Sequence, residues 1–271
     1  MQRAMSYMVL AAILGGCSGG YILTIPDQVA PTGGDATPVI RLRRNELGRM
    51  KVPVRDALMQ FRLAGGPLRG AYTDEIGYAG AVVPTPDKPG RYALSVRHVN
   101  SREGDDVEGT ADVFAWPADA KILAVDMDCL PYPGHEDAPA AAVALRGLAP
   151  NGYIVYFSRD AISRHERMHE VLDLGGYPTG PILLWQRERM HVVRKSWRLP
   201  KIVVESRLVS QLEELRKIFP GLSVGVCDTV LSAGAFTAAG VECLFVAGQS
   251  TDAGVPSEKM LTWAQLAEKV R

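Results

Sequence analysis

The second half of the chain alternates brief apolar runs with longer helical stretches, and this alternation restricts the fold more than any other feature. The apolar runs are rich in branched residues and too short for helices, at 122–126, 153–157, 182–184, 222–226 and 243–246. The stretches of helical character cover residues 138–148, 161–174, 203–218, 231–239 and 262–270. Such alternation favours a parallel sheet with helices on both faces, so we predict a doubly wound α/β domain over residues 119–271.

The first half of the chain has short, often alternating apolar segments separated by turns. They lie at 39–42, 58–63, 78–83, 91–99 and 111–115. Such close spacing predicts a small all-β sandwich over residues 38–118. Residues 73–79 and 89–94, the second of which contains Gly90-Arg91-Tyr92, resemble segments of bacterial immunoglobulin-like domains. The resemblance implies a spacer or adhesion module, and it makes a protein partner of the sandwich an expectation.

The N-terminus has the pattern of an export signal. Arg3 precedes an apolar run over residues 5–14, which is too short to cross a bilayer as a helix. The following Leu14-Gly15-Gly16-Cys17 resembles the lipobox of bacterial lipoproteins. It implies a signal peptide over residues 1–16 and acylation of Cys17, by palmitate or a similar fatty acid. The alternative is an ordinary cysteine of a signal peptide.

A lipid on Cys17 would attach the protein to a membrane of the bacterial cell envelope, on its periplasmic or outer-surface side. Residues 17–37 would then form the tether, because residues 28–37 are rich in Pro, Gly, Thr and Asp without a hydrophobic period. The chain of 271 residues has room for two modest domains. Its 30 basic and 30 acidic residues balance, so no global field would attract nucleic acid.

Two acidic residues follow the first predicted strand of the α/β domain. Ligands of a doubly wound sheet bind beyond the carboxyl ends of its strands, and Asp126 and Asp128 stand at that position. If the strand ends in a turn, both side chains can face one site, where one acid attacks and the other moves a proton. Acidic residues are also common in such loops, so a solvated loop is the alternative.

Polar residues follow the other predicted strands as well. Ser158 and Arg159 follow the second strand, where a hydroxyl and a cation suit phosphate oxygens, although Ser158 could instead cap a helix. Lys201 is predicted to open the long helix after the third strand, as a phosphate ligand or as a solvated charge. Asp228 ends the fourth strand, as a metal ligand or as a helix cap.

The order Asp-x-Asp, Ser, Lys, Asp over residues 121–248 resembles the four motifs of the haloacid dehalogenase superfamily. Residues 177–184 read Tyr-Pro-Thr-Gly-Pro-Ile-Leu-Leu, and Lys201 and Phe219-Pro220 follow. Together they resemble the phosphatase domain of lipins and the related domain of phosphatidylinositol-transfer proteins. The resemblance implies a haloacid dehalogenase-like fold and Mg²⁺-dependent hydrolysis of a phosphomonoester, such as phosphatidic acid or another lipid phosphate.

The same resemblance implies a role for each matching residue. Asp126 would be the nucleophile that forms an aspartyl-phosphate, and Asp128 would protonate the leaving oxygen and later activate water. Mg²⁺ would lie between the Asp126 carboxylate, the Asp128 backbone carbonyl and Asp228. Ser158 and Lys201 would hold the phosphoryl oxygens.

Two departures from the lipin pattern favour a second hypothesis. Lipin-like enzymes continue the first motif with Gly-Thr, where this chain has Cys129-Leu130, and Ser232 stands where further metal support is usual. A catalytically silent domain that binds phosphatidic acid or another anionic ligand would tolerate both changes. In a third hypothesis the whole chain is an envelope scaffold whose sandwich binds protein partners.

Three cysteines besides Cys17 leave an odd count in a compartment expected to be oxidising. Cys129 and Cys227 adjoin the acidic sites and could pair, or could be two small semi-buried residues, while Cys243 is expected in the core. The cations between residues 187 and 198 could receive an anionic lipid headgroup or lie on a solvated face. His165 and His169 could share a helix face that binds metal, or lie exposed at the surface.

Overall fold

The computed structural model describes residues 20–46, 50–99, 106–159, 165–184, 186–191, 201–246 and 260–270. The signal peptide and the lipidated Cys17 that the sequence predicts lie outside these ranges. Within them, no helix combines the length and the apolar character that crossing a bilayer requires.

The N-terminal region is built from β-strands. Their bounds are β1 Tyr21–Thr24, β2 Gln28–Pro31, β3 Asp35–Ala36, β4 Val39–Glu46, β5 Met50–Pro53, β6 Leu58–Leu63, β7 Arg69–Tyr72, β8 Tyr78–Gly80, β9 Val83–Pro84, β10 Gly90–His98 and β11 Val107–Trp116. One sheet has the order β1-β4-β5 with β8 also on β4, a second has the order β2-β11-β10-β6-β7, and β3 pairs with β9. Strand β6 alternates exposed and buried residues because its even-numbered side chains face solvent while Met59, Phe61 and Leu63 face the core.

The predicted linker over residues 28–37 is wrong, because part of it is sheet. Strand β2 pairs in parallel with β11, with Val29 opposite Phe114. Ala30 and Ala36 are buried. Strand β2 lies at the edge of its sheet, where a proline such as Pro31 is tolerated, so its composition resembles that of a linker.

The C-terminal region is a mixed α/β structure around a parallel sheet. The sheet strands are β12 Leu123–Asp126, β13 Ile154–Ser158, β14 Ile182–Leu184, β17 Val224–Cys227 and β18 Glu242–Phe245; β15 Gln186–His191 and β16 Lys201–Ser206 form a separate antiparallel hairpin. The helices are α1 Ala138–Leu148, α2 His165–Leu174, α3 Leu208–Ile218, α4 Val230–Ala238 and α5 Trp263–Lys269. The sheet order is β14-β13-β12-β17-β18, and all of its neighbouring strands are parallel.

Helices cover both faces of this sheet. Leu123 and Val125 of the central strand β12 pack in one core cluster, with residues of α1, α2 and α5. Ala124, which points to the opposite face, packs in the other cluster with residues of α3 and α4. A strand buried on both faces must be apolar at successive positions, and this explains why the strand pattern was readable from the sequence.

The predicted start of the helix over residues 203–218 is wrong. Residues Lys201–Ser206 form strand β16, and helix α3 begins at Leu208. The segment contains Ile202, Val203 and Val204, whose branched side chains favour an extended backbone. Lys201 therefore begins a strand of a hairpin rather than a helix.

The two regions share one of the core clusters. Phe114 and Trp116, at the end of β11, pack in the same cluster as Ile122 and Phe219. The rings of Trp116 and Phe219 lie 6.2 Å apart between centroids. The end of the last N-terminal strand is thus part of the apolar core beneath the parallel sheet.

Candidate active site

Asp126 occupies the carboxyl end of the central strand. It is the last residue of β12 and is 3% exposed. A short 3₁₀ turn over Met127–Cys129 follows, and the Asp128 N–H donates to Asp126 Oδ1 at 3.1 Å. The strand therefore ends in a tight turn that keeps Asp126 and Asp128 at the same edge of the sheet, as the sequence predicts for that pair.

Asp128 forms an ion pair with Arg159. Both Nε and Nη2 of Arg159 contact Asp128 Oδ2, and the side chains of Arg159 and Asp128 are 37% and 32% exposed. Arg159 directly follows Ser158, the buried last residue of β13. Because β13 pairs with β12, with Phe157 opposite Asp126, the neighbouring strand brings Ser158 and Arg159 to the same edge.

Asp228 reaches this edge from the opposite side. It follows β17, which pairs with β12, and its side chain is buried. The helix cap is Thr229 and not Asp228, since the Thr229 side chain accepts the Ser232 N–H at 3.2 Å. The alternative that Asp228 is an N-cap is therefore wrong.

The close packing of α4 on β17 depends on a glycine. A Cβ on Gly225 would lie 2.7 Å from Cδ2 of Phe236, which is less than any normal contact. The missing side chain lets Phe236 approach the strand and fixes the height of α4 above the sheet. The first turn of α4 thereby meets the end of β12.

Ser232, in that first turn, donates its hydroxyl hydrogen to Asp126 Oδ2. Thr229 Oγ1 in turn donates to Ser232 Oγ at 3.0 Å. Ser232 was expected only as a departure from the usual metal support, and Thr229 was not predicted as part of the site. The spacing of Thr229 and Ser232 after a strand is typical of a helix cap and could have predicted their contact, although not the bond to Asp126.

The surroundings of Asp126 oppose its ionisation. Burial is the largest cause that raises the pKa of its carboxyl group, the charges of Asp128 and Asp228 act in the same direction, and the net pKa is about 6 instead of 3.8. The hydrogen bonds from Ser232 and from the Asp128 N–H lower the pKa and offset part of this rise. A cation near these three carboxylates would relieve the repulsion among them.

Cys129 lies beneath the site and is not part of a disulfide. Its buried thiol donates to the Asp126 carbonyl oxygen at 2.9 Å. Burial raises the pKa of the thiol well above its usual range, and the nearby carboxylates raise it further. The thiol therefore stays protonated at neutral pH, so it is a hydrogen-bond donor rather than a nucleophile.

The disulfide joins Cys227 to Cys243, with Cα atoms 6.8 Å apart. The proposed pairing of Cys129 with Cys227 is wrong because Cys129 packs in the cluster on one face of the sheet and Cys227 in the cluster on the other. Cys243 lies on β18, which pairs directly with β17. Cys243, which was expected in the core, packs against the cluster on the Cys227 face, but its disulfide was not predicted; the bond ties β18 to the residue before Asp228.

The expected magnesium ligands are hard oxygen donors, as Mg²⁺ requires. Asp126 ends β12 and Asp228 follows the neighbouring strand β17, and both carboxylates are buried; the backbone carbonyl of Asp128 lies in the turn after β12. A Mg²⁺ site of this type needs no third protein side chain, because water and substrate phosphate oxygens complete the coordination. The described part of the chain contains no group of three or more His, Cys, Asp or Glu side chains arranged to hold a metal.

The position of Lys201 is described only for its backbone. Lys201 lies opposite His191 at the end of the β15–β16 hairpin away from the pair Gln186–Ser206. Five steps of about 3.3 Å place its backbone roughly 16 Å along β16 from Ser206. Its side chain, like those of the cations between residues 187 and 198, lies outside the described residues.

Comparisons with known proteins find matches to this chain only among solved structures. No protein-family model and no curated protein matches it. Among solved structures, the CARDB domain of a Pyrococcus furiosus protein is 14% identical, over 36% of this chain and 86% of that one, with a TM-score of 0.23. A purple acid phosphatase from yellow lupin seeds is 8% identical, over 79% of this chain and 52% of that one, with a TM-score of 0.35.

A family 123 glycoside hydrolase from Clostridium perfringens is 10% identical, over 81% of this chain and 60% of that one, with a TM-score of 0.23. The chain thus spans about half the length of the phosphatase and three fifths of the glycoside hydrolase. TM-scores this low establish neither a shared fold nor a shared activity.

Proposed function

We propose that the C-terminal region is a haloacid dehalogenase-type phosphatase that hydrolyses a phosphomonoester. The observation that carries the proposal is the meeting of Asp126, Asp128, Ser158 and Asp228 at one edge of the parallel sheet. The arrangement of strands supports it, because the first and fourth strands are neighbours in that superfamily, and β12 and β17 pair here. A carboxylate nucleophile and a second acid two residues later suit transfer of a phosphoryl group.

Asp126 is the proposed nucleophile, and its carboxylate attacks the phosphorus to give an aspartyl-phosphate while the alkoxide leaves. Asp128 donates a proton to that leaving oxygen and then accepts one from the attacking water. Ser158 and Arg159 bind phosphoryl oxygens beside the nucleophile. Lys201 remains a candidate for the same role.

Magnesium is the proposed cofactor. The carboxylates of Asp126 and Asp228 and the carbonyl of Asp128 would hold it, and Mg²⁺ would supply positive charge against the negative charge of the transferring group. Burial is the main cause of the raised pKa of Asp126, about 6, and the charges of Asp128 and Asp228 add to it; a cation held there would offset both the burial and the repulsion.

The proposed substrate is a phosphorylated small molecule or a lipid phosphate such as phosphatidic acid at the bacterial cell envelope. This part of the proposal follows from the resemblance of residues 177–184 to lipin-like domains and from the lipobox before Cys17. The N-terminal β-rich region is proposed to be an immunoglobulin-like sandwich that separates the enzyme from its lipid anchor and offers a surface to a protein partner.

A silent binding domain is the second candidate, and the ion pair of Asp128 favours it. Arg159 holds the carboxylate that would have to reach the leaving group. If that pair is permanent, the site can bind an anion through Arg159 but cannot transfer the proton.

Phosphate release by the full chain in detergent, with Mg²⁺ and with EDTA, tests the proposal. Mixed micelles of phosphatidic acid and a soluble aryl phosphate are the two substrates. We expect Mg²⁺-dependent turnover that Asp126→Asn abolishes. Binding of phosphatidic acid without turnover would instead support the silent domain. A protein that shows no binding and no turnover would overturn both candidates.

A further inference from the structure

We infer that Thr229 and Ser232 form a hydroxyl relay that positions the Asp126 carboxylate for attack. The inference rests on the proposed phosphatase function and adds two positioning residues to it. Ser232 donates to Asp126 Oδ2, and the Asp128 N–H donates to Oδ1 at 3.1 Å. Each oxygen of the nucleophile is therefore held by a separate donor, and together they fix the plane of the carboxylate.

The direction of the hydrogen bonds is determined by the groups themselves. Thr229 Oγ1 accepts the Ser232 N–H at 3.2 Å, so its own hydrogen is available for Ser232 Oγ at 3.0 Å. An ionised carboxylate only accepts, so the Ser232 hydrogen must point to Asp126. Thr229 thus occupies the acceptor side of the Ser232 hydroxyl and favours its donation to Asp126.

Water cannot easily replace either hydroxyl. The exposed fractions are 4% for Thr229, 0% for Ser232 and 3% for Asp126. A buried acceptor that loses its donor is not rescued by solvent, and its side chain turns to find another partner. Loss of the relay should therefore let the nucleophile rotate away from the geometry that attack requires.

The relay is separable from the capping of helix α4, although Thr229 takes part in both. Thr229→Val keeps the shape of the side chain but removes the cap and the donor to Ser232. Thr229→Ser keeps the cap and the donor. Ser232→Ala removes the donor to Asp126 while the backbone N–H of residue 232 stays capped by Thr229.

The test is a double-mutant cycle in kcat with the full chain, Mg²⁺ and a soluble aryl phosphate. Ser232→Ala and Thr229→Val should each lower kcat, Ser232→Ala by roughly ten- to hundred-fold, with little change in KM. In the Ser232→Ala background Thr229→Val should lower kcat no further, because the relay is already broken. Thr229→Ser should retain the wild-type kcat.

Urea unfolding of the same variants provides the structural control. Thr229→Val should lower the midpoint in both backgrounds, since it removes the helix cap whether or not Ser232 is present. Effects on kcat that multiply in the double variant would overturn the relay, as would a wild-type kcat in Ser232→Ala. If Ser232→Ala does not fold, equal kcat values for Thr229→Val and Thr229→Ser would overturn it. A wild type that shows no turnover would overturn the proposed function itself and the relay with it.

Discussion

His169 Nε2 lies 2.8 Å from Asp27 Oδ2, and this contact joins the α/β region to the β-rich region. Asp27 is 1% exposed, and its carboxylate also accepts the N–H of Ile182 at 3.0 Å and that of Asp112 at 3.3 Å. Ile182 begins β14, an edge strand of the parallel sheet. One buried carboxylate therefore binds groups of both regions, including the N–H of the first residue of edge strand β14.

The first prediction is that this contact makes stability depend on pH. The hydrogen bond to Asp27 raises the pKa of His169, burial opposes the rise, and the charges of Asp27 and Asp112 add to it while Arg91 opposes it. A raised pKa in the folded state contributes stability that is full below about pH 6.5 and is lost as pH rises through the folded value. The wild type should therefore be more stable than His169→Gln at pH 5.5. This difference in the free energy of unfolding should decrease as the pH rises to 9.

Urea unfolding at several pH values measures this difference. Asp27→Asn is the matched variant, because it removes the charge that favours protonated His169 but keeps a carbonyl oxygen for Ile182. It should abolish the pH dependence attributed to His169. A difference between wild type and His169→Gln that stays constant with pH would contradict the prediction.

The second prediction concerns the disulfide between Cys227 and Cys243, which lie 16 residues apart in sequence. Closing a loop of this length stabilises a folded chain by about 3 kcal/mol, so Cys243→Ser should lower the free energy of unfolding by about that amount. Reductant should produce a similar loss in the wild type and none in the variant. The measurement is urea unfolding with and without reductant.

Thiol mapping of the same protein provides an independent check. Cys129 should react with an alkylating reagent only after unfolding, because its thiol is buried. Cys227 and Cys243 should react only after both unfolding and reduction. Labelling of Cys227 in unfolded, unreduced protein would contradict the disulfide.

The parallel sheet and the acids at its edge could be predicted from the sequence, for a physical reason. Strands buried on both faces, such as β12 and β13, must be apolar throughout, so they stand out between amphipathic helices. Residues at their carboxyl ends then meet at one edge regardless of how the helices pack. The positions of Asp126 and Ser158 at this edge can therefore be predicted from the strand topology alone.

Features that depend on tertiary contacts could not be predicted. Strand β2 is a four-residue edge strand that ends in Pro31, so its sequence is too short and too irregular to show apolar alternation, and its pairing with β11 is a tertiary contact. The partner of Cys227 depends on which face of the sheet each cysteine occupies. His169 is 26% exposed and contacts Asp27, which precedes it by more than a hundred residues, so the expectation of an exposed surface histidine is wrong.

The third prediction concerns the membrane anchor. If Cys17 is acylated, Cys17→Ala should move the protein from the membrane fraction to the soluble fraction, because the bound acyl chains supply the attachment. Detergent partition and intact mass check this result. The control is Cys129→Ala, which changes a buried thiol and should leave partition unchanged. An unlipidated mature wild type would contradict the prediction.

The last prediction is that Asp126→Asn removes activity while stabilising the metal-free fold at high pH. Burial raises the pKa of Asp126 to about 6 in the folded state, against 3.8 ordinarily, so the folded protein binds this proton more tightly than the unfolded one. Stability is therefore lost as pH rises from about 4 to about 6, and it stays reduced above that range.

Asparagine at position 126 carries no charge and escapes this loss. The shift from 3.8 to about 6 already includes the bonds from Ser232 and the Asp128 N–H, and it corresponds to an expected gain of about 3 kcal/mol at pH 8. The gain should vanish towards pH 4. Urea unfolding in EDTA measures it, and phosphate release with Mg²⁺ measures turnover, which an amide cannot support because it cannot attack phosphorus.

Asp128→Asn is the matched control for stability. Its carboxylate is partly exposed and paired with Arg159, so its replacement removes an ion pair without relieving a buried charge, and the variant should gain no stability at pH 8. A less stable Asp126→Asn at pH 8 would show that the burial of this carboxylate is not costly. Unchanged turnover in Asp126→Asn would show that another group attacks the substrate.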